Sequence, residues 1–148
     1  MNVRILEKDD YKKMKELFFD VFSNEPWFDQ WNEEQLDLYM KDLTDNNNSL
    51  SLALYNDNDE IVGCSLGYVF NWWEGKEYYI KEFFIARNYQ NKGIGSRFIS
   101  LMDEFLNKNE FQFITLMTDL DVPAYNFYKK NGFKHLNDSA YFVKRVTK

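Results

Sequence analysis

Cysteine and histidine are all but missing from this chain, with Cys64 and His135 each standing alone among 148 residues. A single cysteine excludes an intrachain disulfide, and one residue of each kind argues against a Cys/His metal site or a catalytic Cys-His pair. No metal is expected, and Cys64 is read as filling a strand. Proline is also scarce, at two residues, and no Pro/Gly/Ser linker, internal repeat or break in composition marks a boundary. One domain over residues 1–148 is therefore expected, long enough to bury a core. No segment approaches the length of a membrane-spanning helix, and the first six residues lack a basic region followed by an apolar run. A cytoplasmic protein without a membrane partner is the expectation. Positive charge is in deficit, with 18 Lys and Arg against 24 Asp and Glu and a net charge of −6. A general nucleic-acid binder needs a cationic surplus to neutralise phosphates, so that class is set aside. Acidity suits a cationic partner and serves solubility equally well.

Aromatic residues are abundant, at 19% of the chain, more than a core of this size requires, which points to some of them lining a pocket. The hydrophobic spacing gives a coarse order of elements. Residues 3–6 read as a strand, and Tyr11, Met14, Leu17, Phe18, Val21 and Phe22 mark one face of a helix that Asn24-Glu25-Pro26 ends. Asn32 with Gln35 three residues on announces a second helix, carrying Leu36, Tyr39, Met40 and Leu43. Leu50, Leu52 and Leu54 alternate in a strand, residues 56–60 turn, and residues 61–70 return as its hairpin partner. Residues 72–76 make the next turn, before an aromatic and β-branched strand over residues 77–86. Phe98, Ile99, Leu101, Met102, Phe105 and Leu106 form a helical stripe, and residues 111–118 a fifth strand. A helix from about residue 122, capped by Asp121 and stopped at Gly132, and a closing strand over residues 141–146 complete the chain.

The most informative stretch is Gln90-Asn91-Lys92-Gly93-Ile94-Gly95-Ser96-Arg97, between strand and helix. Gly93 and Gly95 allow a ligand close to the backbone, the first turn of the helix offers N–H groups, and Lys92 and Arg97 add charge at the rim, so a pyrophosphate fits here. Neither G-x-G-x-x-G nor G-x-x-x-x-G-K-[ST] is present. What stands is Gln-x-x-Gly-x-Gly, which resembles the acetyl-CoA loop of the GCN5-related N-acetyltransferase (GNAT) superfamily. Asp121 to Phe133 resembles that family's late helix, with Tyr128 four residues before a helix-ending Gly132-Phe133. Read without context, the loop also fits a plain strand-to-helix turn and Tyr128 a core residue.

The resemblance implies an α/β (α+β) fold: a mixed, largely antiparallel twisted sheet of six to seven strands flanked by about four helices. Its central strands, here residues 78–86 and 111–118, would splay to admit acetyl-CoA, and the whole of 1–148 would be a single acetyltransferase domain. The cofactor would lie along Gln90, Asn91, Lys92, Gly93, Ile94, Gly95, Ser96 and Arg97, with backbone contacts to the acetyl group at Phe84 and Ile85. Tyr128 matches the family tyrosine that points at the thioester sulfur. Asp121 stands where the family often has Asn bonding the pantetheine arm; either Asn126 remakes that contact or Asp121 is only a helix cap. Glu82 is a carboxylate amid an apolar strand, an expensive place for charge. Aminoglycoside 6'-N-acetyltransferases carry an acidic residue at this strand position, which makes Glu82 the expected base, with an ordered water as the alternative. Other members place the glutamate three residues earlier, where this chain has Tyr79. An exposed sheet face, or pairing with Lys81 or Lys144, would explain Glu82 without catalysis, and alternation alone does not say which face is wet.

Acceptor binding is expected at Trp27, Trp31, Trp72, Trp73, Glu74 and Asp119, flat apolar faces beside carboxylates that suit amino sugars. The same tryptophans could pack over the helix pair or form a dimer contact. The expectation is thus an acetyl-CoA-dependent N-acetyltransferase acting on a small-molecule amine, most nearly an aminoglycoside-like amino sugar, as a monomer or homodimer. Protein N-termini, lysine or polyamines are alternative acceptors, and a non-catalytic acyl-CoA-binding module is the alternative without chemistry.

Overall fold

Met14, Phe18 and Val21 form the buried face of α1 (Tyr11–Phe22), and Leu36, Met40 and Leu43 that of α2 (Glu33–Thr44). α2 starts where its signal lies, because the Asn32 side chain accepts from the Gln35 N–H at 2.8 Å and satisfies one of the orphan donors of the first turn. The computed structural model describes residues 1–147, in two compact units, Met1–Met117 and the chain from Thr118 onward. Among the described residues no helix is long and apolar enough to cross a membrane.

The first unit is built on one sheet with strand order β1-β2-β3-β4-β5. The strands are β1 (Asn2–Ile5), β2 (Ser49–Tyr55), β3 (Ile61–Trp72), β4 (Gly75–Ile85) and β5 (Phe111–Leu116). Pairings up to β3–β4 are antiparallel, whereas β4 and β5 run parallel, as the crossover through α3 (Ile94–Lys108) allows. Each sheet face has its own core. α1 and α2 pack with Ala53, Cys64, Leu66 and Phe84 on the first face; α3 packs with Leu54, Val62, Tyr78, Ile80 and Ile85 on the second.

Strand alternation should keep every second residue of β4 on one face, and here it does not. Tyr78 and Ile80 belong to the second face, yet so do Phe83 and Ile85, while Phe84 belongs to the first. The break is a β-bulge: Leu66 opposes Glu82 and Gly67 opposes Ile80, so Lys81 is one residue too many. After it the parity is inverted, and Glu82 joins Phe84 on the α1–α2 face. Gly67 makes room for the displacement, since a Cβ there would overlap the Tyr79 carbonyl oxygen and touch the Tyr78 ring at 3.0 Å.

The bulge lies where β4 outruns its neighbour. Pairing with β5 ends at Ile80 and Leu116, and β4 continues through Lys81, Glu82, Phe83, Phe84 and Ile85. Ala86 N–H donates to Val62 C=O at 2.9 Å, which makes Gly63 and Ile85 a non-hydrogen-bonded pair and Cys64 and Phe84 a hydrogen-bonded one. The Phe84 backbone is therefore committed to β3, and the N–H and C=O of Ile85 point away from it.

In the second unit, α4 (Pro123–Lys130) has Val122 as its N-cap with no side-chain cap bond. Asp121 is thus not the cap; Pro123 at the first helical position, with φ already helical and no N–H to satisfy, starts the helix instead. Its end follows the expected glycine. Gly132 has φ 91°, Phe133 N–H reaches Tyr128 C=O at 3.0 Å, and Gly132 N–H reaches Lys129 C=O at 3.3 Å. That is a Schellman ending, sealed by the Tyr128 and Phe133 rings at 5.3 Å. The spacing from Tyr128 to Gly132-Phe133 is the spacing this ending requires.

Two sequence expectations are corrected. Residues 141–146 form no strand, and the described sheet has five strands rather than six to seven. Tyr141, Phe142, Val143 and Val146 have strand-like side chains but stay exposed, and β-propensity needs a neighbouring strand to act on. Trp72 also lies within the β3–β4 ladder, opposite Gly75, so the turn is only Trp73-Glu74.

Gly67→Ala should lower the stability of the chain by about 1–3 kcal/mol, the usual cost of forcing atoms into a packed site. Urea denaturation checks this, and an unchanged midpoint would mean that the bulge tolerates a side chain.

Candidate active site

Inverted parity brings Glu82 to α2. The Tyr39 hydroxyl donates to Glu82 Oε2 at 3.4 Å, and the Tyr39 ring stacks on Trp31 with centroids 5.1 Å apart and planes 13° from parallel. Trp31 is tied in turn to the loop before α2, its Nε1–H donating to Asp29 Oδ2 at 3.2 Å. Phe18 of α1 meets Trp31, Tyr39 and Phe84 edge-on or tilted at 5.5–6.0 Å, which closes an aromatic wall around the carboxylate. Trp27 belongs to the same side, 5.8 Å from Phe22.

Burial pushes the Glu82 carboxyl up to about 7; the Lys81 charge and the Tyr39 hydrogen bond pull it down, and nearby Asp29 raises it further. Desolvation wins because it disfavours the charged form regardless of direction, whereas Lys81 is exposed and screened by water. A carboxylate in this range is half ionised near neutral pH, the condition under which a general base combines availability with strength. Burial also holds Tyr39 protonated well above the usual phenol range, so it remains a donor.

The glycine loop follows β4 through a short 3₁₀ turn at Arg87–Tyr89. Gln90 turns back, its side-chain amide donating to Ile85 C=O at 2.9 Å, and so locks loop to strand. Asn91 and Gly93 take left-handed φ values of 60° and 77°, and α3 begins at Ile94 with no side chain capping it. Lys92 and Arg97 are exposed beside Ile94, Gly95 and Ser96.

The expected acceptor residues fall into separate groups. Trp27 and Trp31 lie on the Glu82 side of the first unit. Trp72, Trp73 and Glu74 occupy the tip of the β3–β4 hairpin, with Trp72 Nε1–H donating to Glu74 Oε1 at 3.4 Å. From Leu66, opposite Glu82, to Trp72 the strand climbs roughly 20 Å at about 3.3 Å per residue. Those two groups do not converge. Asp119, Asp121 and Asn126, all exposed, and Tyr128, partly buried, belong to the second unit. Sequence reasoning does not single out Tyr39, which sits on the apolar stripe of its helix, where only its hydroxyl hints at a polar partner; Asp29 falls within residues 25–31, whose carboxylates and tryptophans suit an acceptor.

The model of the acetyltransferase (GNAT) family matches residues 11–133. The chain belongs to that family. Among curated relatives, the thialysine N-epsilon-acetyltransferase of Mus musculus is 32% identical over 81 residues, 53% of this chain and 48% of that protein. The chain thus spans about half the length of the curated relatives it matches. Among solved structures, an aminoglycoside acetyltransferase from an uncultured soil metagenomic sample, in complex with sisomicin, has a TM-score of 0.71 at 22% identity, covering 99% of this chain and 96% of that one. AAC(6')-Iy in complex with the bisubstrate analogue CoA-S-monomethyl-acetylneamine has a TM-score of 0.71 at 10% identity, covering 98% of each chain. At such identities the likeness is one of fold.

A raised carboxyl in this GNAT-family chain carries a stability signature of definite sign. Because the folded value of about 7 exceeds the ordinary 4.5, protonated Glu82 favours the fold, and that advantage is lost as pH rises from 4.5 through 7. Glu82→Gln should therefore be more stable than the parent by about 2 kcal/mol at pH 8 and nearly equal to it at pH 4, allowing for partial exposure. Denaturant titrations at both pH values check this, and an equal difference at both would contradict the burial of the charge.

Proposed function

We propose that this GNAT-family chain is an acetyl-CoA-dependent N-acetyltransferase, a single domain in which Glu82 is the general base. The observation that carries the reading is a carboxylate on the strand that runs into the glycine loop, turned by the Lys81 bulge to the α1–α2 face and met there by the Tyr39 hydroxyl, where burial raises it above the usual carboxylate range. Glu82 takes a proton from the acceptor's ammonium group, freeing the nitrogen lone pair to attack the acyl carbon. The family match across residues 11–133, which includes both Glu82 and Tyr128, supports one catalytic domain.

Bound acetyl-CoA supplies the activated thioester. Its fit to this chain rests on the start of α3, where the first-turn N–H groups carry no side-chain cap and the helix dipole favours phosphate. A Cβ on Gly93 would meet no protein atom within 4 Å, so that approach is open, and Lys92 and Arg97 add charge beside it. Gln90 serves by anchoring the loop to Ile85, whose N–H, directed away from β3, is the donor we assign to the acetyl oxygen. Tyr128 is assigned to the thioester sulfur, to which it would donate a hydrogen bond. A phenol is ordinarily a weaker acid than a thiol, so hydrogen bonding to the departing thiolate would be its contribution. Since Asp121 does not cap α4, Asn126, which carries both donor and acceptor, is assigned to the pantetheine arm.

For the acceptor, the aromatic wall of Trp31 and Tyr39 beside Asp29 and Glu82 suits a ring that bears ammonium groups. An aminoglycoside-like amino sugar is the first reading, supported by the substrates named for the structural neighbours. A side-chain amine of an amino acid is the second, supported by the activity named for the curated relatives.

Release of free CoA from acetyl-CoA, measured with a thiol reagent, tests both against aminoglycosides with and without a 6'-amine, thialysine, lysine and polyamines. Turnover confined to 6'-amino compounds is the expected result, and turnover on thialysine or lysine alone selects the second reading. Release with no acceptor in the panel would overturn the proposal. Tyr128→Phe should lower kcat at least about tenfold with the acetyl-CoA KM nearly unchanged, and an unaltered kcat would remove its role.

A further inference from the structure

We propose that Tyr39 is a positioning residue for the base: its hydroxyl holds Glu82 Oε2, and its ring, clamped on Trp31, fixes where that carboxylate points. The proposal rests on Glu82 acting as the base, and it adds a helix of the first unit to the machinery that β4 carries.

Three features distinguish this contact from incidental packing. Tyr39 is held from three sides, stacked on Trp31 at 5.1 Å and tilted against Phe18 at 6.0 Å, with its hydroxyl end on Glu82 at 3.4 Å. Its stacking partner is itself pinned, since the Trp31 indole donates to Asp29. The contact exists only because the Lys81 bulge turns Glu82 towards α2; in a regular strand the carboxylate would face α3. A carboxylate has two oxygens, and engaging Oε2 leaves Oε1 to accept the proton. When the acceptor's N–H bond breaks, an O–H bond forms at Oε1 and the Tyr39 proton stays on its own oxygen.

Among the described residues, the groups that act on Glu82 are few. Lys81 on β4 favours its charge, Asp29 on the loop before α2 opposes it, and Tyr39 on α2 donates to it. Tyr68 on β3 and Tyr79 on β4 bear on Tyr39 in turn. α1 contributes only the uncharged rings of Phe18 and Phe22 beside Tyr39 and Phe84. Within this set, Tyr39 is the hydrogen bond that favours the ionised form, so its removal must make Glu82 harder to ionise.

The test is a titration of the Glu82 side-chain carboxyl by 13C NMR on the free protein, in parent and Tyr39→Phe, with the resonance assigned by its loss in Glu82→Gln. Tyr39→Phe keeps the ring and its stack and should move the titration up by about half a pH unit or more. In kinetics, kcat/KM at pH 7 should fall several-fold, the acid limb should move up by the same interval, and the acetyl-CoA KM should stay. A purely structural role would lower activity without moving either titration, so an unmoved Glu82 in folded Tyr39→Phe overturns the proposal. Trp31→Phe is the second variant, retaining the hydroxyl while weakening its clamp. A smaller shift in the same direction is expected, and its absence would remove the clamping role from Trp31. If Glu82→Gln keeps full activity, the base assignment fails, while the NMR titration still decides whether Tyr39 holds the carboxylate.

Discussion

A single surplus residue in β4 decides which face of the sheet receives Glu82. Lys81 has no counterpart on β3, and the strand absorbs it by bulging against Gly67, a position with no side chain to resist. Up to Ile80 the even-numbered residues face α3; beyond the bulge they face α1 and α2. A glutamate that regular alternation would press into the α3 core instead meets the hydroxyl of Tyr39. The same inversion sets Tyr79 and Glu82, three residues apart, on one face of the strand.

The chemistry of Glu82 then arises from competition among neighbours rather than from any one partner. Burial dominates, and neither an exposed lysine nor a long phenolic hydrogen bond offsets it. A better ion pair would hold the carboxylate permanently charged and too weak to act as a base; burial alone, with no donor, would keep it protonated. The aromatic wall supplies both burial and a donor, and α2 delivers it because an Asn32 cap fixes where that helix starts and therefore where Tyr39 falls on it.

Much of this is legible in the sequence, in proportion to how local the cause is. The Asn32 cap, the apolar stripes of α1, α2 and α3, and the Gly132 ending are each decided within one or two turns of chain, and the structure has them as read. The spacing of Tyr128 from Gly132-Phe133 proves to be that of a helix terminus, so part of that motif records how the chain stops a helix. Glu82 is conspicuous as a charge in an apolar strand, but its face is not readable, because alternation assumes a regular strand and the bulge depends on Gly67 in another strand. For the same reason Tyr39 does not stand out, its partner lying 43 residues away. Asp121 resembles a cap because its side chain suits one, yet Pro123 starts the helix. Residues 141–146 have the composition of a strand without a ladder to join among the described residues. The tryptophans, grouped by composition, divide between the loop before α2, which carries Trp27 and Trp31, and the tip of the β3–β4 hairpin, which carries Trp72 and Trp73, a separation that composition does not reveal.

The most direct measurement is the dependence of kcat/KM on pH, taken with the best acceptor in the parent enzyme and in Glu82→Gln. If Glu82 is the base, the parent shows an acid limb of unit slope with its midpoint near 7, set by the Glu82 carboxyl, and the variant loses that limb together with most of the rate. A limb that persists unchanged in Glu82→Gln would assign the ionisation to another group and contradict the claim that the bulge in β4 presents this base.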